Sequence, residues 1–197
     1  TELPTIYPDS YHAYDMIQGE KKGIATRARQ WVYGFRLRKA LRDLPGGKSS
    51  RLLDIGCGDG WMLDCYRALA PGLTTYGVDI NARACELARR KGHLTFHGRF
   101  EDLDFGSERF DFINASHVLE HVADPKTFLR KAKSLLTPGG ILCVETPNTQ
   151  SLDARLFGEA WGAFHFPRHW TLYDAHTLTE MAKECGLRAD KVYFHAC

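Results

Sequence analysis

The sequence predicts an α/β protein whose mainly parallel sheet is covered by helices on both faces. Three observations predict it. From residue 51 onward, short apolar segments of strand length alternate with segments of helical period, the signature of βαβ units. A glycine cluster, Gly56-Cys57-Gly58-Asp59-Gly60, separates the first strand from the helix after it, the place where open sheets bind ligands. An acidic residue, Asp79, closes the second strand.

The elements follow in order. Residues 1–19 are polar and aromatic, with Tyr7, Tyr11 and Tyr14 and no clear period. Ile24, Ala28, Trp31, Phe35 and Leu41 keep helical spacing over 23–44, and Pro45-Gly46-Gly47 stops that helix. The pattern then predicts a strand at 51–55, a helix at 61–70 stopped by Pro71-Gly72, and a strand at 75–79. Asn81 caps the next helix and Gly92 ends it. Strands are expected at 94–97 and 110–115, then a helix at 125–136 closed by Pro138-Gly139-Gly140, and a fifth strand at 141–145. An irregular aromatic segment fills 147–173. Asp174 caps a last helix that Gly186 ends, and 191–195 reads as a sixth strand.

Composition narrows the class. The 197 residues suit one soluble globular domain, 44% hydrophobic and 25% charged, with a net charge of +2 that predicts no nucleic-acid partner. Six cysteines (57, 65, 85, 143, 185 and 197) form no CxxC pair, so reduced thiols in a cytoplasmic protein are expected rather than a disulfide framework. No run approaches the roughly 20 apolar residues of a membrane span, and no signal-peptide core is read. The chain opens on Thr1 rather than Met, and a trimmed N-terminus is expected.

The glycine loop separates two nucleotide readings. A dinucleotide fold needs GxGxxG, with a small third residue packing helix on strand. Counted from Gly56, that position holds Trp61. What remains is acidic-x-Gly-x-Gly-x-Gly, from Asp54 through Gly60. It resembles motif I of class I S-adenosylmethionine (SAM)-dependent methyltransferases. Asp79 lies nineteen residues after Gly60, where a carboxylate accepts hydrogen bonds from vicinal ribose hydroxyls. The resemblance continues through Gly98-Arg99-Phe100-Glu101-Asp102-Leu103, the fourth strand ending at Ala115-Ser116, and Leu136-Thr137-Pro138-Gly139-Gly140. Arg155-Leu156-Phe157-Gly158, Trp161, Pro167-Arg168-His169 and the helix at 178–186 resemble methyltransferase domain type 23, related to the ubiquinone-pathway O-methyltransferases.

That resemblance implies a Rossmann-like sheet ordered 3-2-1-4-5-7-6. Strand seven has no counterpart in 197 residues, so the parent chain is expected to continue; failing that, strand six pairs with strand five, or a second chain fills the gap. One domain is expected, with an N-terminal cap and helix (1–47), a SAM-binding core (48–147), an acceptor-facing lid (148–173), and the last helix and strand (174–197). The implied cofactor site takes in Asp54, Gly56, Cys57, Gly58, Gly60, Asp79, Ile80, Phe100, Glu101, Ala115 and Ser116, with Tyr11, Tyr14 and Arg36 from the N-terminal segment.

His117-Val118-Leu119-Glu120-His121 also matches the HxxEH zinc pattern. It follows a strand directly, however, and Asp124-Pro125 interrupts any long helix. The methyltransferase branch often carries Leu-Glu-His here, so no metal is expected. No carboxylate cluster suited to a magnesium-dependent catechol methyltransferase is read either. The expected function is methyl transfer from SAM to a small-molecule acceptor, at a hydroxyl or phenol oxygen whose proton a histidine removes. The candidates are His121, His117 and His169, in that order; a histidine bonded only to backbone is the alternative for each. The aromatic residues of 157–173 either pack on the sheet or face the acceptor. Expected partners are the acceptor and, in a homodimer, a second copy. The rivals are a SAM-binding module without catalysis and an NAD-type oxidoreductase, which Trp61 disfavours.

Overall fold

The computed structural model describes residues 50–164 and 167–194. The expected helix at 23–44, Tyr11, Tyr14 and Arg36 lie outside the described residues. The chain divides into two compact units, whose described residues are 50–115 with Leu135–Cys143, and 116–134 with 144–164 and 167–194.

The first unit holds the sheet. Its strands β1 (Arg51–Ile55), β2 (Thr74–Asp79), β3 (Leu94–His97), β4 (Phe110–Ser116) and β5 (Leu136–Glu145) are ordered β3-β2-β1-β4-β5, as expected for the first five strands. The β1/β2, β1/β4 and β2/β3 pairs are parallel. β1 lies between two neighbours, and Leu52, Leu53 and Ile55 are buried on both faces, which is why it reads as a continuous apolar run. Helix α1 (Trp61–Leu69) buries Leu63 and Tyr66, and the Tyr66 ring meets Phe112 of β4 at 5.6 Å. Helix α2 (Ala82–Arg90) starts where Asn81 Oδ1 accepts from the Ala84 N–H at 2.9 Å. A second cluster is aromatic: Phe105 lies 4.9 Å from Phe96 and 5.7 Å from Phe100, while Tyr76 meets Phe110 edge-on at 5.2 Å.

β5 departs from expectation. The strand begins at Leu136 rather than 141 and runs through Pro138-Gly139-Gly140. Gly139 adopts φ 80°, a conformation open to glycine, so the backbone bends inside the strand where the sequence reads a stop.

In the second unit, helix α3 (Pro125–Ser134) is capped by Asp124, which accepts from the Thr127 N–H at 3.0 Å. Helix α5 (Ala175–Glu184) is capped by Asp174, which accepts from the Thr177 N–H at 2.7 Å. The two helices meet, with Lys126 and Glu184 paired at 2.6 Å. The segment read as irregular contains a short helix, α4 (Leu152–Phe157), with Ser151 accepting from the Ala154 N–H. The expected sixth strand does not form in its described part: 191–194 carries no strand, and Val192, Tyr193 and Phe194 are exposed. Alternating apolar residues make a strand only when another strand supplies the ladder. Among the described residues, no helix is long and apolar enough to cross a membrane.

Candidate functional site

In the first unit the glycine loop is tied to the end of β2. Gly56 and Cys57 donate their N–H groups to the Val78 carbonyl at 2.8 and 3.0 Å, and the Gly58 N–H donates to Asp79 Oδ2 at 2.8 Å. The other carboxylate oxygen of Asp79 accepts from the Asn81 N–H, also at 2.8 Å. Gly56, Gly58 and Gly60 all have positive φ, at 76°, 53° and 82°. A Cβ on Gly60 would lie 2.8 Å from the His93 ring, whereas one on Gly58 would meet nothing within 4 Å among the described residues. The loop is therefore packed at its helix end and open at its middle.

Two carboxylates are buried beside this loop. Asp54 sits in register between Gly77 and Asn114 and accepts from Asn114 Nδ2 at 2.7 Å. Burial drives its pKa up to about 7; the Asn114 bond works against that and the Asp79 charge adds to it. Asp79 is also raised by burial, and the Asn81 and Gly58 N–H groups draw it back. Among the described residues no cationic side chain is paired with Asp54. Such a site suits a ligand that brings positive charge and vicinal hydroxyls, as SAM does; an anionic pyrophosphate would meet Asp54 unfavourably.

The other expected residues divide. Ile80 is exposed directly after Asp79, while Cys57 is buried, with burial pushing its thiol up. Phe100 belongs to the aromatic core, Glu101 lies 3.7 Å from Arg99, and Ala115 is fully buried in β4.

In the second unit, residues around the end of β4 gather a set of acids and histidines. His117 takes φ 54°, a left-handed conformation unusual outside glycine. Its Nδ1 is 3.2 Å from Glu120 Oε1 and its Nε2 3.7 Å from Glu145 Oε1. Ser116 Oγ donates to Glu145 Oε2 at 2.9 Å. Leu119–His121 forms a 3-10 turn, not the α-helix an HxxEH zinc pattern requires. His121 instead meets His169, with ring centroids 4.7 Å apart. Burial lowers the His121 pKa. Glu120 is fully buried; burial works upward on its pKa, but the His117 bond and neighbouring histidine charges bring it below its usual value. Glu145, and Glu120 as a buried anchor, are not singled out by sequence reasoning. The one available signal is that Glu145, like Asp79, is an acid ending a parallel-sheet strand.

The sheet order, the acidic-x-Gly-x-Gly-x-Gly loop and the acid ending β2 are those of the class I SAM-dependent methyltransferase fold. The chain belongs to the methyltransferase domain family of type 23, whose profile matches residues 27–192. It is 37% identical over 149 residues to a ubiquinone biosynthesis O-methyltransferase from Cereibacter sphaeroides, covering 70% of this chain and 60% of that protein. A protein of the same name from Nitrobacter winogradskyi is 42% identical over 104 residues, covering 50% of this chain and 39% of that one. The chain thus matches less than two thirds of these relatives' length. The structure of a SAM-dependent methyltransferase from Archaeoglobus fulgidus superposes with a TM-score of 0.63 at 24% identity, over 80% of this chain and 68% of that one; this likeness speaks to the fold.

Proposed function

We propose that the protein transfers a methyl group from SAM to the oxygen of a small hydroxyl or phenol acceptor. The observation that carries this reading is the pair of buried carboxylates at the glycine loop, Asp79 held by the Gly58 and Asn81 N–H groups and Asp54 without a paired cation among the described residues. Asp79 receives the ribose hydroxyls on its remaining lone pairs. Asp54 offsets the positive methionine end, and Ile80 and Glu101 face the adenine. SAM supplies a methyl group already activated by its sulfonium.

Of the three histidines, His117 is the candidate base. Glu120 holds a proton on Nδ1, which makes Nε2 the basic nitrogen, and Glu145 favours the charged ring that results. His117 follows the last residue of β4 directly. Relatives named as O-methyltransferases support oxygen as the acceptor atom. The exposed rings of Phe157, Phe164 and Trp170 support an acceptor with an apolar or planar part. No disulfide joins any two of the five described cysteines, which supports a reducing, cytoplasmic setting.

The test is formation of S-adenosylhomocysteine with a panel of phenols and alcohols, with the product methoxy group identified by NMR. SAM binding without turnover on any acceptor supports a binding module instead. Failure to bind SAM at all overturns the reading.

A further inference from the structure

Glu120 is fully buried, and among the described residues its Oε2 has no hydrogen-bond partner. A buried carboxylate oxygen left unsatisfied is costly, and the other oxygen, Oε1, already faces His117. The chain brings two imidazoles to this carboxylate. One donor atom each from Glu120, His121 and His169 lies within 4.8 Å of the others. We propose that Glu120, His121 and His169 form a site for a divalent transition-metal ion of the zinc class.

Four features support the assignment. The donor set is two imidazoles and one carboxylate, a combination that holds zinc with a coordination position left for an exogenous ligand. Both rings are oriented as metal-binding imidazoles are. His121 Nδ1 faces the Arg168 carbonyl at 3.0 Å and His169 Nδ1 faces the Ala163 carbonyl at 2.6 Å. A carbonyl only accepts, so each Nδ1 carries the proton and each Nε2 the lone pair. The backbone is fixed on both sides of the cluster. The Trp170 N–H donates to the Glu120 carbonyl at 2.7 Å, and Tyr173 Oη donates to the Leu119 carbonyl at 3.4 Å. Finally, the spacing is nearly right: neighbouring donors of a tetrahedral zinc are about 3.3 Å apart, so side-chain motions of about an ångström close the site.

This set is not the one the HxxEH pattern suggests. His117 stands outside it, holding Glu120 Oε1 as an outer partner. The inference is independent of the acceptor and of methyl transfer.

The experiment uses the whole protein stripped with a chelator and titrated with Zn2+ alone by calorimetry, then with Co2+ followed by visible absorption. One equivalent of Zn2+ is expected, together with Co2+ bands of a low-coordinate nitrogen and oxygen site. Glu120→Gln and His169→Ala should each weaken Zn2+ by more than the roughly 10–100-fold that outer-shell changes cost. His176→Ala, at an exposed histidine elsewhere in the unit, should leave affinity unchanged. Absence of stoichiometric binding to the wild-type protein overturns the proposal, as does unchanged affinity in both ligand variants. Should a variant fail to fold by circular dichroism, the wild-type stoichiometry and Co2+ spectrum still decide.

Discussion

The main-chain N–H of Gly58 donates to Oδ2 of Asp79 at 2.8 Å. This bond joins the middle of the glycine loop to the acid at the end of the neighbouring strand, so both are already in place before a ligand arrives. Preorganisation of this kind lowers the ordering cost of binding. Asp79→Ala removes both the anchor of the loop and the acceptor for the ribose. Each charge-assisted hydrogen bond lost is worth about 1.5–3 kcal/mol, so SAM affinity should fall at least tenfold by calorimetry. Undiminished affinity would mean the cofactor lies elsewhere.

Gly77 pairs with Asp54 across β1 and β2. A Cβ there would lie 2.5 Å from Cys57 Sγ and 3.2 Å from Leu63 Cδ1. Gly77→Ala should destabilise the protein by about 1–3 kcal/mol through overpacking, seen as a lower urea midpoint with the same slope. A neutral result would show that the loop can retreat from the strand at little cost.

Asp54 makes stability depend on pH. Its folded pKa of about 7 lies above the ordinary carboxylate value of 3.8, so between those values the folded protein holds a proton that the unfolded chain releases. Stability therefore falls as pH rises through that window, and the loss is complete above it. The expected size is on the order of a few kcal/mol. Asp54→Asn, uncharged throughout, should gain on the wild type as pH rises from 5 to 8 in urea denaturation. An equal difference at both pH values would place the titration on another group.

His117→Ala should lower kcat by roughly 10²–10⁴-fold while leaving SAM affinity intact. Glu145→Gln, which removes the carboxylate 3.7 Å from Nε2, should cost less. An unchanged kcat for His117→Ala would point to an acceptor that needs no proton removed.

Much of this architecture is written locally in the sequence. β1 and β3 have the bounds their apolar runs predict, and α2 and α5 start at Asn81 and Asp174 because those side chains accept the expected N–H bonds. The departures come where a neighbour decides. Gly139 lets β5 continue through a tripeptide that reads as a stop. Leu152–Phe157 is too short to show a helical period. Val192 and Phe194 alternate like a strand but are exposed. The loop residues of the cofactor site are contiguous and legible. Which histidines meet is not, because His121 and His169 are brought together by the Arg168 carbonyl and the turn at 119–121, contacts that no short-range pattern encodes.

The order of the strands also bears on synthesis. β4 is flanked by β1 on one side and β5 on the other, and β5 begins twenty residues after β4 ends. At about 5–20 residues per second, translation leaves the outer edge of β4 without its partner for roughly one to four seconds. That edge belongs to a strand whose Phe110, Phe112, Ile113 and Ala115 end up fully buried, and open apolar edges invite pairing with other chains. The emerging polypeptide thus keeps that edge open to other chains until Leu136 leaves the ribosome, and a chaperone that shields it in this interval should raise the yield of folded protein.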